Sequence, residues 1–471
     1  MKKKIICIVC MLLCALFAIG ACAPAGVVTG DDDEDDGRTR LYVSVYKAGF
    51  GIDWLTAIAA EYEKENTDIK VVPQGDATME GTAQAAIESG EGTRDIYSLT
   101  SSANYYNNSV FDEDGDGYSD RLACLDELYQ MEIENGKTLE DLIDPNFKNI
   151  VQINGHYYGV PWNAAVTGIM YNYNMFKEKG WNVPTTMDEF YALCDTIRGA
   201  GIAPLGYCGG IADGYLFNLF AGLYTQYAGE TNLNKFLAFE SAEVYKQEAR
   251  LKAYEAIGRM LTGTTPDGRS WILDGAQGMD HLAVQRAFIR GECAMLIGGS
   301  WLKTEMSAYL EEYPNFECAM MPLPWINPEK SNPDGTKNGN LSDATVLVVP
   351  KNAAHKDQAI DFLRFMSTSE MLKLYTEKTG GNPRPFTYEG VDYSDLDVWG
   401  KSLMDIYLSS TNYYGVSYVE NFRLGRLKLI LASDGTLVDA FNTIGPGKTA
   451  LQNAQELVNS DYTIAQQYFS I

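Results

Sequence analysis

Hydrophobic and polar positions alternate from Leu41 to Tyr46, the period of a half-buried strand. A loop with two glycines, Lys47 to Ile52, follows. Asp53 then stands where it can cap a helix whose apolar face is Leu55, Ile58, Ala59 and Tyr62. Ile69 to Val72 is a further short apolar run. Strand, helix and strand at this spacing predict a βαβ unit, and so a mostly parallel sheet. Asp95 to Thr100 reads as another strand, leading into Ser101, Ser102 and Asn104. Polar residues beyond the carboxyl end of such a strand sit where open α/β sheets bind ligands.

The stretch from Asn154 to Phe176 is the least ordinary. Asn154-Gly155 is a hairpin dipeptide that takes positive φ readily. An aromatic pair, Pro161-Trp162-Asn163 and a run of small residues follow, before the apolar Ile169, Met170 and Tyr171. The middle is too small-sided for a core and too apolar for a solvent loop. It reads as a chain crossing between two lobes with Trp162 facing the cleft, or as a core strand ending in a tryptophan.

Beyond it, Thr186 and Glu189 have capping-box spacing ahead of Met187, Phe190, Cys194 and Ile197 on one helix face. Ile202 to Tyr207 is a strand. The glycine-rich Cys208 to Tyr215 is neither G-x-G-x-x-G nor a GK[ST] loop, so nucleotide binding has no support; Tyr207, Asp213 and Tyr215 suit a polar-aromatic pocket instead. Phe217 to Arg290 is mostly helical. Gly291 to Trp301 is a buried strand broken by two glycines, Thr345 to Val349 is another, and Asn327 to Asn340 between them is an exposed loop. Helices are expected at Lys356–Met366 and Ser369–Lys378, ended by Gly380-Gly381. Asn382-Pro-Arg-Pro385, with Arg384, is a stiff polar connector, and amphipathic helices close the chain.

Length changes this picture: 471 residues exceed one ordinary core, so two lobes are expected. Net charge does too. At −26 the surface repels phosphate backbones, which excludes nucleic acid as a natural partner. The 30 Tyr and 7 Trp supply rigid faces for stacking on sugar rings, although most will be core.

Asp112, Asp114 and Asp116 occupy alternate positions, Gly117 supplies a sharp turn, the Tyr118 carbonyl is available and Asp120 is ninth. That pattern resembles an EF-hand-like calcium loop and predicts a structural calcium, the other reading being a solvated acidic turn. Ala123 stands where the loop's bidentate Glu would be, leaving water or Asp126 to complete the shell.

Lys2 to Lys4 precede an apolar stretch, Ile5 to Ile19, too short to stay in a membrane. It ends Ile19-Gly20-Ala21-Cys22, which resembles a bacterial lipobox with Cys22 as the lipidated mature N-terminus. Residues 22–39, with six acidic residues from Asp31 to Asp36, read as a tether. Cys124, Cys194, Cys208, Cys293 and Cys318 remain, an odd set without C-x-x-C spacing, for which buried free thiols are expected.

Several passages together resemble the extracellular solute-binding proteins of ABC importers, in the sugar-binding group that includes maltose-binding protein. They are Gly159-Val-Pro-Trp-Asn163, Met170-Tyr-Asn-Tyr-Asn-Met-Phe176, Pro184-Thr-Thr-Met-Asp-Glu-Phe190, Gly291 to Trp301 and Pro350 to Gly381, in the family's order. The resemblance implies an α/β, two-lobed periplasmic-binding-protein-like fold, each lobe a mostly parallel sheet flanked by helices. It puts residues 40–164 plus 345–380 in one lobe and 165–344 plus 381–471 in the other, after a signal peptide at 1–21. Hinges fall near Ala164–Val166 and Asp343–Thr345. A carbohydrate, of which an oligosaccharide is the expected form, would stack on Trp301. Trp162, Asn163, Tyr46, Ser101, Tyr207, Asp213 and Arg384 would also contact it. The implied protein is a monomer, held on the outer membrane face through Cys22, that delivers its sugar to permease subunits and catalyses nothing. Some relatives carry an acidic residue where Ala164-Ala165 stands, so the sugar's identity stays open. An oligopeptide receptor and a surface carbohydrate-active enzyme are the rivals. The three scattered histidines, with no H-E-x-x-H and no G-x-S-x-G, speak against the enzyme.

Overall fold

Two sheets organise the chain, and the strands change sheet within three residues. In this computed structural model, residues 36–470 are described except 48, 77, 92–93, 101–111, 114, 208–211, 238–239, 327–338, 343 and 415–448. The first sheet has the order Ile69–Asp76, Thr39–Tyr46, Ile96–Thr100, Ala344–Val348, Gly159–Ala164. The second runs Ala203–Gly206, Cys293–Gly299, Thr167–Asn172, Cys318–Met321. Gly159–Ala164 and Thr167–Asn172 therefore lie in different sheets with only Ala165 and Val166 between them.

Both sheets are mixed rather than mostly parallel. Thr39–Tyr46 pairs in parallel with Ile69–Asp76 and Ile96–Thr100, as the βαβ pattern requires. The strands at the crossing run against their neighbours: Ala344–Val348 is antiparallel to Ile96–Thr100 and to Gly159–Ala164. In the second sheet Thr167–Asn172 is antiparallel to both Cys293–Gly299 and Cys318–Met321. A strand entering from the other lobe arrives without a crossover helix, so nothing forces it to run parallel.

Local chemistry explains most element ends. Asn154 (φ 54°) and Gly155 (φ 87°) make the expected turn between Gln152–Ile153 and His156–Tyr157. Thr186 accepts from the Glu189 amide while Glu189 reaches back, a complete capping box on Met187–Gly199. Asp53, by contrast, is the first residue of its helix rather than its cap; Ile52 holds the cap position without a side-chain bond. Met187, Phe190, Cys194 and Ile197 are buried as the helical pattern demands.

Four features lay beyond the pattern. Cys318–Met321 is a fully buried strand. Gly339–Ser342, whose first two residues were expected in a loop, pairs in parallel with Thr411–Tyr414. The final helix, Ala450–Phe469, is tied to the helix Glu248–Thr262 by a buried ion pair, Arg250 to Asp461 at 2.5 Å. Arg250 also donates to the Tyr245 carbonyl and lies against the rings of Tyr245, Tyr254 and Phe236. Finally, Gly381, at φ 105°, lies so close to Gly400 that an added Cβ would be 2.1 Å from the Gly400 Cα. Glycine here lets the turn after Ser369–Lys378 pack against the helix Val398–Ser409.

Candidate functional site

Pro161 shapes the site. A proline has no N–H for the ladder, so pairing across Gly159–Ala164 slips: Thr345 faces Asn163, but Val346 faces Pro161. Trp162 is the extra residue of this bulge, freed from pairing at the edge of the first sheet. Its ring packs 4.3 Å from Trp54 and edge-on to Tyr375 at 5.0 Å. Its indole nitrogen is buried and has no hydrogen-bond partner. An unpaired buried N–H costs about 1–3 kcal/mol.

A narrow pocket opens beside that ring, lined by Tyr46, Phe50, Trp54, Ser98, Trp162, Asn163, Thr345 and Tyr375 among others. The polar atoms are held firmly. Tyr375 donates to the Asn163 side-chain oxygen at 3.1 Å, and Ser98 Oγ accepts from the Tyr46 amide at 2.7 Å. Burial drives the Tyr375 pKa upward, so its hydroxyl stays protonated and remains the donor. The wall is thus aromatic with a few fixed polar points, arranged at the ends of strands in the first sheet.

Trp301 reaches the same region from the second lobe. It follows the end of Cys293–Gly299, and the Ser300 amide donates to the Val166 carbonyl at 2.8 Å, tying this turn to the crossing. The indole lies 5.5 Å from the Tyr215 ring, with Nε1 3.4 Å from its hydroxyl. Two glycines make room for it. A Cβ on Gly299 would overlap the indole at 2.1 Å, and one on Gly49 would come 2.6 Å from the Trp301 Cβ. Gly49 belongs to the loop after the first strand, so Trp301 makes one of the contacts between the lobes.

Arg384 is placed differently from its expected ligand contact. It is fully buried behind Trp162, its guanidinium 3.9 Å from that ring and 4.4 Å from Phe386. It donates to the backbone carbonyls of Met366 and, at 3.3 Å, Pro161. Among the described residues no carboxylate pairs with it. Burial accordingly pulls its pKa down. Its role in this structure is to brace the bulge from behind. The backbone helps, since the Ala164 amide donates to the Pro383 carbonyl at 3.1 Å.

The remaining expectations divide. Tyr46 and Asn163 line the pocket with Trp162. Tyr207 is buried in the second lobe at the end of its strand. Asp213 falls in the helix Ala212–Ala228, its side chain outside the described residues, and Ser101 lies outside them too. Ser98, three residues earlier, takes the polar position on the wall. Trp54, Phe50 and Tyr375 carry no such signal in the sequence beyond position: Phe50 lies in the glycine loop after the first strand and Trp54 just beyond it, at a βα turn.

The acidic loop closes on itself. Asp112 accepts from the amides of Gly115 (2.7 Å) and Gly117 (3.0 Å), Asp116 from Tyr118 and Asp120 from Glu113 (both 2.8 Å). Asp114 and Cys22 lie outside the described residues. Asp126 is engaged elsewhere, accepting from the Tyr157 amide at 2.8 Å and lying 2.7 Å from His156 Nδ1, so it does not complete that shell here. The four described cysteines are free thiols; Cys194, Cys293 and Cys318 are buried as expected, but Cys124 is exposed. Burial pushes the Cys318 thiol up to about 12, which makes it inert.

Comparison with known proteins follows this geometry. The family model described as "Bacterial extracellular solute-binding protein" matches residues 51–373. The chain is 26% identical to a multiple sugar-binding protein of Streptococcus mutans over 54% of its own length and 57% of that relative. An arabinooligosaccharide-binding protein of Bacillus subtilis is 22% identical, over 88% of this chain and 86% of the relative. Several curated relatives, the S. mutans protein among them, are matched over only about half of their length. Among solved structures, apo RafE from Streptococcus pneumoniae superposes with a TM-score of 0.67 at 19% identity, covering 92% of this chain and 98% of that one. The solute receptor AcbH gives 0.63 at 15% identity, over 91% and 100%.

Proposed function

This chain belongs to the bacterial extracellular solute-binding protein family, and on that premise we propose that it captures a carbohydrate, in oligosaccharide form, between its two lobes. The observation carrying this reading is the bulge at Trp162. It places Trp162, with its buried and unpaired N–H, in the wall of a pocket shared with Trp54, Phe50, Tyr46 and Tyr375. Aromatic faces take the C–H-rich side of a pyranose, and the N–H and the Asn163 amide take hydroxyls. Trp301 closes over the ligand as the lobes come together about Ala165–Val166 and the segment before Ala344. The closed form then docks on ABC permease subunits. The site binds and releases without catalysis, and the receptor works as a monomer tethered through lipidated Cys22 on the outer membrane face. A calcium ion in the loop Asp112–Asp120, with Asp114, Asp116 and the Tyr118 carbonyl, would stiffen the first lobe.

Support comes from the relatives, a multiple sugar-binding protein in S. mutans and an arabinooligosaccharide-binding protein in B. subtilis. A thermal-shift panel of mono-, di- and oligosaccharides and short peptides tests the reading. A ligand at 100 times its Kd stabilises by about 2.7 kcal/mol. Shifts from saccharides, and none from peptides, are expected; shifts from peptides alone would replace the sugar by an oligopeptide, and turnover of a stabilising sugar would make the protein an enzyme.

A further inference from the structure

Cys124 and Asp126 meet His156, which lies 30 residues beyond Asp126, at the rim of the first lobe. Asp126 opens the short helix Asp126–Gln130, and His156 begins the strand His156–Tyr157. Two backbone-linked bonds lock these elements together: the Leu125 amide donates to the Tyr157 carbonyl at 2.7 Å, and the Tyr157 amide to Asp126 Oδ1 at 2.8 Å. The cluster is therefore held by one backbone–backbone bond and by the Asp126 carboxylate itself. A thiol sulfur, a carboxylate oxygen and an imidazole nitrogen lie within 4.8 Å of one another. Among the described residues this is the one such cluster of three.

We propose that Cys124 Sγ, Asp126 Oδ2 and His156 Nδ1 form a binding site for a borderline divalent cation of the zinc type, with solvent in the fourth position. The donor set carries the assignment. Zinc takes thiolate at about 2.3 Å and imidazole or carboxylate at about 2.0–2.2 Å, so tetrahedral ligand atoms stand roughly 3.3–3.7 Å apart. Coordination needs a widening of the 2.7 Å contact between His156 and Asp126 and a rotation of the Cys124 side chain toward the ion. Cys124 is exposed, and rotation about its single side-chain torsion makes that adjustment. Calcium and magnesium, which take oxygen ligands, would not choose a site with a thiolate and an imidazole.

The metal-free arrangement resembles a site holding protons in place of the ion. The carboxylate of Asp126 lies against His156 Nδ1 and the Cys124 thiol, and its pKa is lowered although its burial opposes this. On the other side, the Cys124 thiol lies against that carboxylate and, as an ordinary thiol, carries its proton at neutral pH. Metal entry displaces that thiol proton to solvent, one per ion, and moves the imidazole proton from Nδ1 to Nε2. The Tyr118 ring lies 4.1 Å from the His156 ring, which fixes the imidazole plane from the outer side.

Cobalt(II) titration of the purified, reduced, oxygen-free chain tests this. One equivalent is expected to give a thiolate-to-cobalt charge-transfer band with tetrahedral visible bands, bleached by zinc. Calorimetry in two buffers of different ionisation enthalpy should find one proton released per ion. Cys124→Ser abolishes the charge-transfer band, and both it and His156→Gln weaken binding by at least about tenfold. Asp112→Asn, in the acidic loop, leaves the band and the affinity unchanged. The proposal is overturned if the wild-type chain shows no charge-transfer band, or if Cys124→Ser binds cobalt as tightly as wild type.

Discussion

Replacing Gly49 with Ala separates lobe closure from folding. In this structure an alanine Cβ at position 49 would come 2.6 Å from the Trp301 Cβ, which is roughly 1 Å inside ordinary carbon contact. The atom it meets is no flexible tip, since a Cβ moves only with its backbone. Overpacking of this kind costs about 1–3 kcal/mol, and here it arises only when the lobes are together. The positive φ of 75° adds about 1–2 kcal/mol for a residue with a Cβ, in the open and closed forms alike. Gly51→Ala supplies the control, because Gly51 also has positive φ, 69°, but nothing within 4 Å of its added Cβ. Both variants should lose a few degrees of Tm without ligand. Only Gly49→Ala should raise Kd, by about 5- to 150-fold for 1–3 kcal/mol. Calorimetric titration with whichever saccharide stabilises the wild type reads both. Equal Kd for the two variants would refute contact between the Gly49 loop and Trp301 as part of the ligand-bound form.

Other consequences are as direct. Asp461→Asn strands the buried Arg250 and should cost about 3–5 kcal/mol in urea unfolding, whereas the double replacement Arg250→Met with Asp461→Leu loses much less. Gly381→Ala meets backbone at 2.1 Å and a φ of 105°, so at least about 3 kcal/mol should be lost, seen as a lowered Tm. Chelation of calcium should lower the Tm of the wild-type chain and leave Asp112→Asn unaffected; equal responses would remove the ion from the acidic loop.

Elements whose signal is local were legible. Thr186 with Glu189, Asn154-Gly155, and the alternation at Leu41–Tyr46 each carry their own hydrogen-bond logic, and each formed where it was expected. The candidate site was legible only as residue types. Trp162 and Asn163 could be named, but the bulge that aims them follows from pairing with Thr345 and Val346, far along the chain. Arg384 looked like a polar connector residue because sequence does not show that two carbonyls and two aromatic rings enclose it. The sheet directions failed for a related reason: a βαβ pattern speaks for its own two strands, and not for strands arriving from another lobe. Cys124 and His156 carry no spacing motif at all; the backbone bond from Leu125 to Tyr157 brings them together.

The central claim is that this chain holds a carbohydrate between its lobes. Native mass spectrometry of the purified chain, after incubation with a mixture of neutral oligosaccharides and short peptides, addresses it most directly. One saccharide bound per chain is predicted, lost when Trp162 and Trp301 are both replaced by Ala while the fold persists by circular dichroism. Peptide adducts without any saccharide, or saccharide retained by that double variant, would contradict it.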